Sequence, residues 1–198
     1  MTKRLNHEHC LGAIIDVQGY FLSQARTPSP SKIRANIRNF ARLLAYFRIP
    51  IAVTLERPVH LKGLLPNDIK KQLGNSAEVF QKHFFDLTRE KEIRSYIDRL
   101  KRRQVVVTGC ETDVCVLQSS LGLLGLGYEV YVVEDLLFSS ARNVDAAIAR
   151  MKAEGAVFLT YKTLYYELLA AVDGGPHGER MLATFGPFPD NLPDVAVQ

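Results

Sequence analysis

Residues 104–120 read QVVVTGCETDVCVLQSS, and the way this stretch divides decides the fold. Its first six residues are mostly apolar and β-branched and stop at a glycine, the composition of a strand covered on both faces. From Asp113 to Leu126 the apolar residues return at helical spacing. A buried strand that runs straight into a helix is half of a strand–helix–strand unit, so the neighbouring sequence should continue the alternation.

It does so in both directions. Upstream, LGAIIDV (11–17) is a short buried strand closing on Asp16. A helix from Ser31 to Arg48 lines up Ile33, Ile37, Phe40, Ala41, Leu44 and Phe47, opened by Ser29-Pro30 and closed by Pro50. IAVTL (51–55) is a second strand and EVF (78–80) a short third, and Thr88 to Arg103 is helical through Ile93, Ile97 and Leu100. Downstream come strands EVYVVED (129–135) and AVFLT (156–160), with helices over Asn143–Ala153 and from about Thr163 to Val172. The expectation is an α/β protein: a three-layer α/β/α domain over residues 1–172, with a mostly parallel sheet of about six strands in Rossmann-like order. Residues 173–198 turn to GGPHGER and GPFPDNLPD, and read as an extended Gly/Pro-rich tail that packs on the body or on a neighbouring subunit.

Composition bounds the function. Of 198 residues, 47% are apolar and 23% charged, which suits one globular domain and not a disordered chain. The net charge of +4 is spread among 21 acids with no arginine-rich tract, so a nucleic-acid partner is not expected. No apolar stretch reaches the length of a membrane span, and the N-terminus lacks a secretory pattern, so no membrane partner is expected. Three cysteines, an odd number, do not make a disulfide framework and fit a reducing compartment, here the cytoplasm.

In an open α/β sheet, ligands gather beyond the carboxyl ends of the strands. Asp16 ends the first strand, and Cys110, Glu111 and Cys115 follow the strand at 104–109. Cys115 falls in the first turn of the following helix, where free N–H groups and the helix dipole lower a thiol pKa. The competing reading is a small buried hydrophobe, the usual fate of a free cysteine. Lys82, in FQKHFFD (80–86), is either one more solvated lysine or a cation held among aromatics. GLLGLG (122–127) lies within a helix and reads as helix packing, while HEHC (7–10) offers at most adventitious metal ligands.

Taken together, AIIDVQGYF (13–21), FQKHFFD (80–86) and the stretch from Val105 to Ser140 resemble the isochorismatase-like cysteine hydrolases. The family pattern is an Asp followed by x-Gln at the end of strand one, a Lys followed by Phe, and G-x-x-T-x-x-C-V after strand four. Asp16 and Gln18, Lys82 with Phe84 and Phe85, and Gly109, Thr112, Cys115 and Val116 fill those places. The resemblance implies a catalytic triad of Asp16, Lys82 and Cys115, a cis peptide between Cys110 and Glu111, and an oxyanion hole from the backbone N–H groups of Glu111 and Cys115. It also implies a pocket bordered by Gln18, Phe21, Glu56, Phe84, Phe85 and Thr112. The nicotinamidase branch carries an Asp-x-His metal motif after strand two, which TLERPVHLKG (54–63) lacks. No metal and no cofactor are therefore expected, and the resemblance is to the branch whose substrates are mostly unassigned. What it implies is hydrolysis of a small-molecule amide or related C–N bond through a thioester, by a homo-oligomer. The rivals are vinyl ether cleavage of the isochorismatase type, a non-catalytic scaffold, and a redox-sensing thiol protein.

Overall fold

The computed structural model describes residues 4–26, 29–170 and 178–185. The chain runs β1 (Cys10–Ile15), α1 (Gly19–Gln24), α2 (Pro30–Tyr46), β2 (Ile51–Glu56), α3 (Val59–Lys62), α4 (Asn67–Leu73), β3 (Ala77–Lys82), α5 (Lys91–Leu100), β4 (Gln104–Gly109), α6 (Leu117–Gly125), β5 (Glu129–Leu137), α7 (Asp145–Ala153), β6 (Val157–Leu159), α8 (Tyr161–Leu169) and α9 (Gly178–Phe185). The strands form one six-stranded sheet in the order β3-β2-β1-β4-β5-β6, and every pairing is parallel. β1 and β4 are the two central strands, and strand order reverses between them. That is the position where this architecture leaves room for a ligand.

The sheet is apolar on both faces because helices cover both. Along β1 the side chains alternate: Cys10 and Ile14 join a cluster built with Ile33, Ile37, Phe40 and Leu44 of α2 and with Leu164 and Leu168 of α8. Leu11, Ala13 and Ile15 join the opposite cluster, with Ile93 and Ile97 of α5, Leu123 of α6 and Met151 of α7. The central strands β1 and β4 are buried at every position, whereas the edge strand β3 buries only Phe80 and Lys82. That half-exposure is why its sequence signal is only three residues long.

Two places depart from the sequence-based expectation. The helix expected from Asp113 begins instead as a wide π-helical turn over Thr112–Val116, closed by the Val116 N–H donating to the Glu111 carbonyl five residues back, and α6 proper starts at Leu117. The stretch expected to be an extended tail contains α9, whose Met181 is buried in the core and whose Phe185 ring meets Tyr46, Tyr165 and the Arg42 guanidinium. The remainder of that tail lies outside the described residues. Among the described residues no helix is long and apolar enough to cross a membrane.

Candidate active site

Four strands deliver one charged or nucleophilic group each to the carboxyl edge of the sheet. Asp16 follows β1, Glu56 ends β2, Lys82 ends β3, and Cys115 follows β4 by way of the π-helical turn. β4 can approach β1 this closely because Gly109 has no side chain. Its φ is +119°, and a Cβ there would stand 2.0 Å from the Ile15 carbonyl oxygen. The Cys110–Glu111 peptide bond that follows is cis. The Cys110 thiol donates to the Asp16 carbonyl at 3.1 Å, holding the ends of the two central strands together.

Asp16 itself adopts a left-handed backbone, φ 52°, unusual for a non-glycine residue. Its carboxylate then lies wholly buried between two partners. Oδ1 accepts from the Thr54 hydroxyl at 2.8 Å, and Oδ2 faces the Lys82 ammonium at 2.7 Å. Lys82 is also fully buried. Besides Asp16, its Nζ donates to the Phe84 carbonyl at 3.2 Å and to Cys115 Sγ at 3.4 Å, and it lies 3.7 Å from Glu56 Oε2. A lysine in the core needs such company, because an isolated buried ammonium sheds its proton. Burial lowers the Lys82 pKa, but the charge and hydrogen bond of Asp16 together with Cys115 and Glu56 more than offset it, and the group stays protonated with a pKa above its ordinary value. Burial likewise raises Asp16, against the pull of Lys82.

Cys115 is 1% exposed, and its thiol is held by a group the sequence marks only as a pocket border. The S–H donates to Glu56 Oε2 at 3.1 Å, while Glu56 Oε1 takes the ammonium of Lys62 from α3. The thiol pKa is raised well above its ordinary value, chiefly by burial and then by the Asp16 carboxylate, with Glu56 adding to the effect and Lys82 opposing it. This corrects the expectation from the helix dipole: the wide turn does act as a helix start, but burial and two carboxylates dominate it, so the resting group is a thiol. Glu56 runs the other way. Burial would raise it, yet the Lys62 hydrogen bond, the Cys115 contact and Lys82 hold its carboxyl below the usual range.

Gln18 is buried, and its side chain is fully engaged with backbone. Oε1 accepts from the Glu56 N–H at 2.8 Å, and Nε2 donates to the carbonyls of Glu56 and Gly63 at 3.2 and 2.8 Å. It thereby pins the segment 56–63 over the thiol. Phe21 is buried beneath the Lys62 ammonium, 5.5 Å from it. Thr112 is buried too, with its hydroxyl and its N–H both donating to the Phe138 carbonyl, which moors the turn that carries Cys115 to the end of β5. Phe84 and Phe85 remain exposed, the first with the Arg89 guanidinium 4.4 Å above its ring. Thr54, Lys62 and Ser119 were not foreseen. Ser119 of α6 accepts from the Leu87 N–H and donates to the Phe85 carbonyl, tying the loop after Lys82 to the helix after Cys115. Only Thr54 had a sequence signal, as a polar residue inside an apolar strand. Among the described residues Asp16, Glu56 and Cys115 bring ligand atoms within 4.8 Å of one another, and the Lys82 ammonium stands in contact with all three, where a metal would have to displace it.

Comparison with known proteins bears on the same residues. The isochorismatase domain model matches residues 13–163, a span that holds all four groups at the sheet edge. Isochorismatase family protein 2A of Dictyostelium discoideum is 28% identical over 176 residues, covering 85% of this chain and 86% of that one. Its relative 1A is 32% identical over 127 residues, and the chain spans 60% of that protein's length. Among solved structures, the YcaC gene product of Escherichia coli, described as an octameric hydrolase of unknown specificity, superimposes with a TM-score of 0.84 at 23% identity, covering 92% of this chain and 90% of that one. With a domain match over most of its length, the chain belongs to the isochorismatase family.

Proposed function

We propose that the protein is a cysteine hydrolase that cleaves a small amide or related C–N bond through a thioester on Cys115. The observation that carries the reading is the buried cluster itself, an ammonium 2.7 Å from a carboxylate and 3.4 Å from a thiol. Holding three ionisable groups in the core is expensive unless they act together. The Asp16 carboxylate stands within 4.8 Å of the thiol sulfur and takes its proton as the sulfur attacks the carbonyl carbon. An S–C bond forms, the C–N bond breaks, and the nitrogen leaves with that proton. Water then adds to the thioester, the S–C bond breaks, the acid departs and the sulfur regains a proton. Lys82 stays charged throughout and offsets the negative charge on Asp16 and on sulfur in turn. The backbone N–H groups of Glu111 and Cys115 hold the developing oxyanion. Among the described residues the Glu111 N–H has no backbone acceptor, which supports that role.

The substrate is small, because the nucleophile lies beneath a closed surface. Self-association belongs to the same reading: Tyr20, Leu61, Leu64, Phe84 and Phe85, on the segments after β1, β2 and β3, leave large apolar surface exposed. Three free cysteines support a reducing compartment, the cytoplasm. Vinyl ether cleavage would leave Cys115 without a task, and a scaffold would have no use for a buried Asp–Lys pair against a thiol.

The test is mass spectrometry of the intact protein quenched during incubation with a panel of primary amides. An acyl adduct on Cys115, released by hydroxylamine and absent from Lys82→Met, is expected. Amide turnover that survives Cys115→Ala would overturn the thioester.

A further inference from the structure

Glu56 touches the sulfur in the resting site, yet no step above assigns it a task. Its carboxylate is fixed at both oxygens, Oε2 by the Cys115 thiol at 3.1 Å and Oε1 by Lys62, while Gln18 grips its backbone at both N–H and carbonyl. It therefore cannot swing aside without breaking several contacts. A carboxylate only accepts hydrogen bonds. When the thiol gives up its proton, Oε2 loses its donor and faces a negatively charged sulfur. Whatever occupies the space over Sγ must then supply a donor to Oε2 or leave two like charges in contact.

The charged groups facing the sulfur allow few occupants. Asp16 and Glu56 are negative, and Lys82 and Lys62 are positive. Lys82 is spent on Asp16, and Lys62 on Glu56 and the Arg57 carbonyl. Neither cation is left for a substrate carboxylate. We propose that Glu56 determines specificity by accepting a hydrogen bond from the N–H group beside the reacting carbon, so that neutral or cationic primary amides enter while carboxylate-bearing and N–H-free substrates are turned away. This rests on the hydrolase reading above for its substrate class, but the selection acts before any bond to nitrogen breaks.

Iodoacetamide and iodoacetate separate the two ideas. They attach the same carbon to the same sulfur and differ in placing an amide N–H₂ or a carboxylate next to it. Site-resolved second-order rates at Cys115, each divided by the rate with glutathione at the same pH and salt, give a preference from which thiolate fraction cancels. In the wild type this normalised preference for iodoacetamide should be about tenfold or more, the scale of one like-charge contact at a partly screened site. In Glu56→Gln it should fall to within about twofold of glutathione. If that variant does not fold, Lys62→Met serves in its place, and stripping the counter-charge should raise the preference further. A wild-type preference near one, a preference unchanged in Glu56→Gln, one that falls in Lys62→Met, or a Cys115 that takes neither reagent would each overturn the proposal. Alkylation needs no thioester, so a strong Glu56-dependent preference without amide turnover would sink the hydrolase reading and leave the selection standing.

Discussion

At the scale of single residues, the site holds Cys115 as a protonated thiol. Cys115 titrates above an ordinary thiol because burial and two carboxylates oppose its charge, with only Lys82 favouring it. Its alkylation rate should therefore keep climbing through pH 9 and 10, where a free thiol with a pKa of about 8.5 has already levelled off. Lys82→Met should slow the reaction at every pH in that range, since it removes the cation that stands 3.4 Å from the sulfur. A plateau below pH 8.5 would contradict this account. The same substitution strands Asp16 in the core, and loss of one partner from a buried pair costs about 3–5 kcal/mol, which chemical denaturation would read. Asp16 and Cys115 drew notice in the sequence because strand ends are where this architecture places chemistry, but Lys82 and the grouping of the three came from the family resemblance. Lys62 was not legible, since a lysine on a four-residue helix carries no pattern that separates it from surface charge.

Elements explain how those residues meet. The GLLGLG segment serves helix packing, and Gly122 shows the physical basis. A Cβ on it would lie 2.5 Å from the Asp86 carboxylate and from the Thr88 hydroxyl, on the segment that leads away from Lys82. Gly122→Ala should destabilise the protein by about 1–3 kcal/mol, the usual range for overpacking, and should lower Cys115 reactivity by displacing the Lys82 loop. Gly125→Ala, three residues on with open space around it, should be neutral or stabilising by up to about 1 kcal/mol. Equal thermal shifts in the two variants would refute the distinction. Strands and long helices were legible because burial on two faces, or on one stripe, leaves a periodic trace. The short helices α1, α3 and α4 left none, being too brief for periodicity and fixed by tertiary contacts such as the Gln18 clamp. The π-helical turn left no trace either, since its extra residue shows only in the Val116 N–H bonding the Glu111 carbonyl.

For the whole molecule, acid should act through carboxylates held below their usual range. Asp68 of α4 takes a two-pronged hydrogen bond from Arg34 of α2, with contacts of 2.8 to 3.1 Å, and that pair, with burial opposing, keeps its carboxyl down. A depressed folded pKa means stability that is present above the unfolded value, 3.8 for an aspartate, and lost as pH falls through the folded one. Both side chains are partly exposed, so the contribution is small, about 0.5–1 kcal/mol. Asp68→Asn should therefore melt lower than the wild type at pH 7, and the gap should close below pH 3.8. A gap that does not shrink at all as pH falls below 3.8 would show that the pair acts through packing instead. Glu56, also depressed, adds to the same acid limb from inside the site.

The covered thiol also sets how the protein meets oxidants. Peroxide attacks thiolates that it can reach. Cys115 is 1% exposed and protonated, Cys10 has no exposed surface and a pKa pushed up to about 12, and Cys110 is wholly buried with its S–H engaged. No standing thiolate among the three cysteines faces solvent. Endurance here comes from concealment: a sulfur that is covered and keeps its proton offers a passing oxidant little to attack.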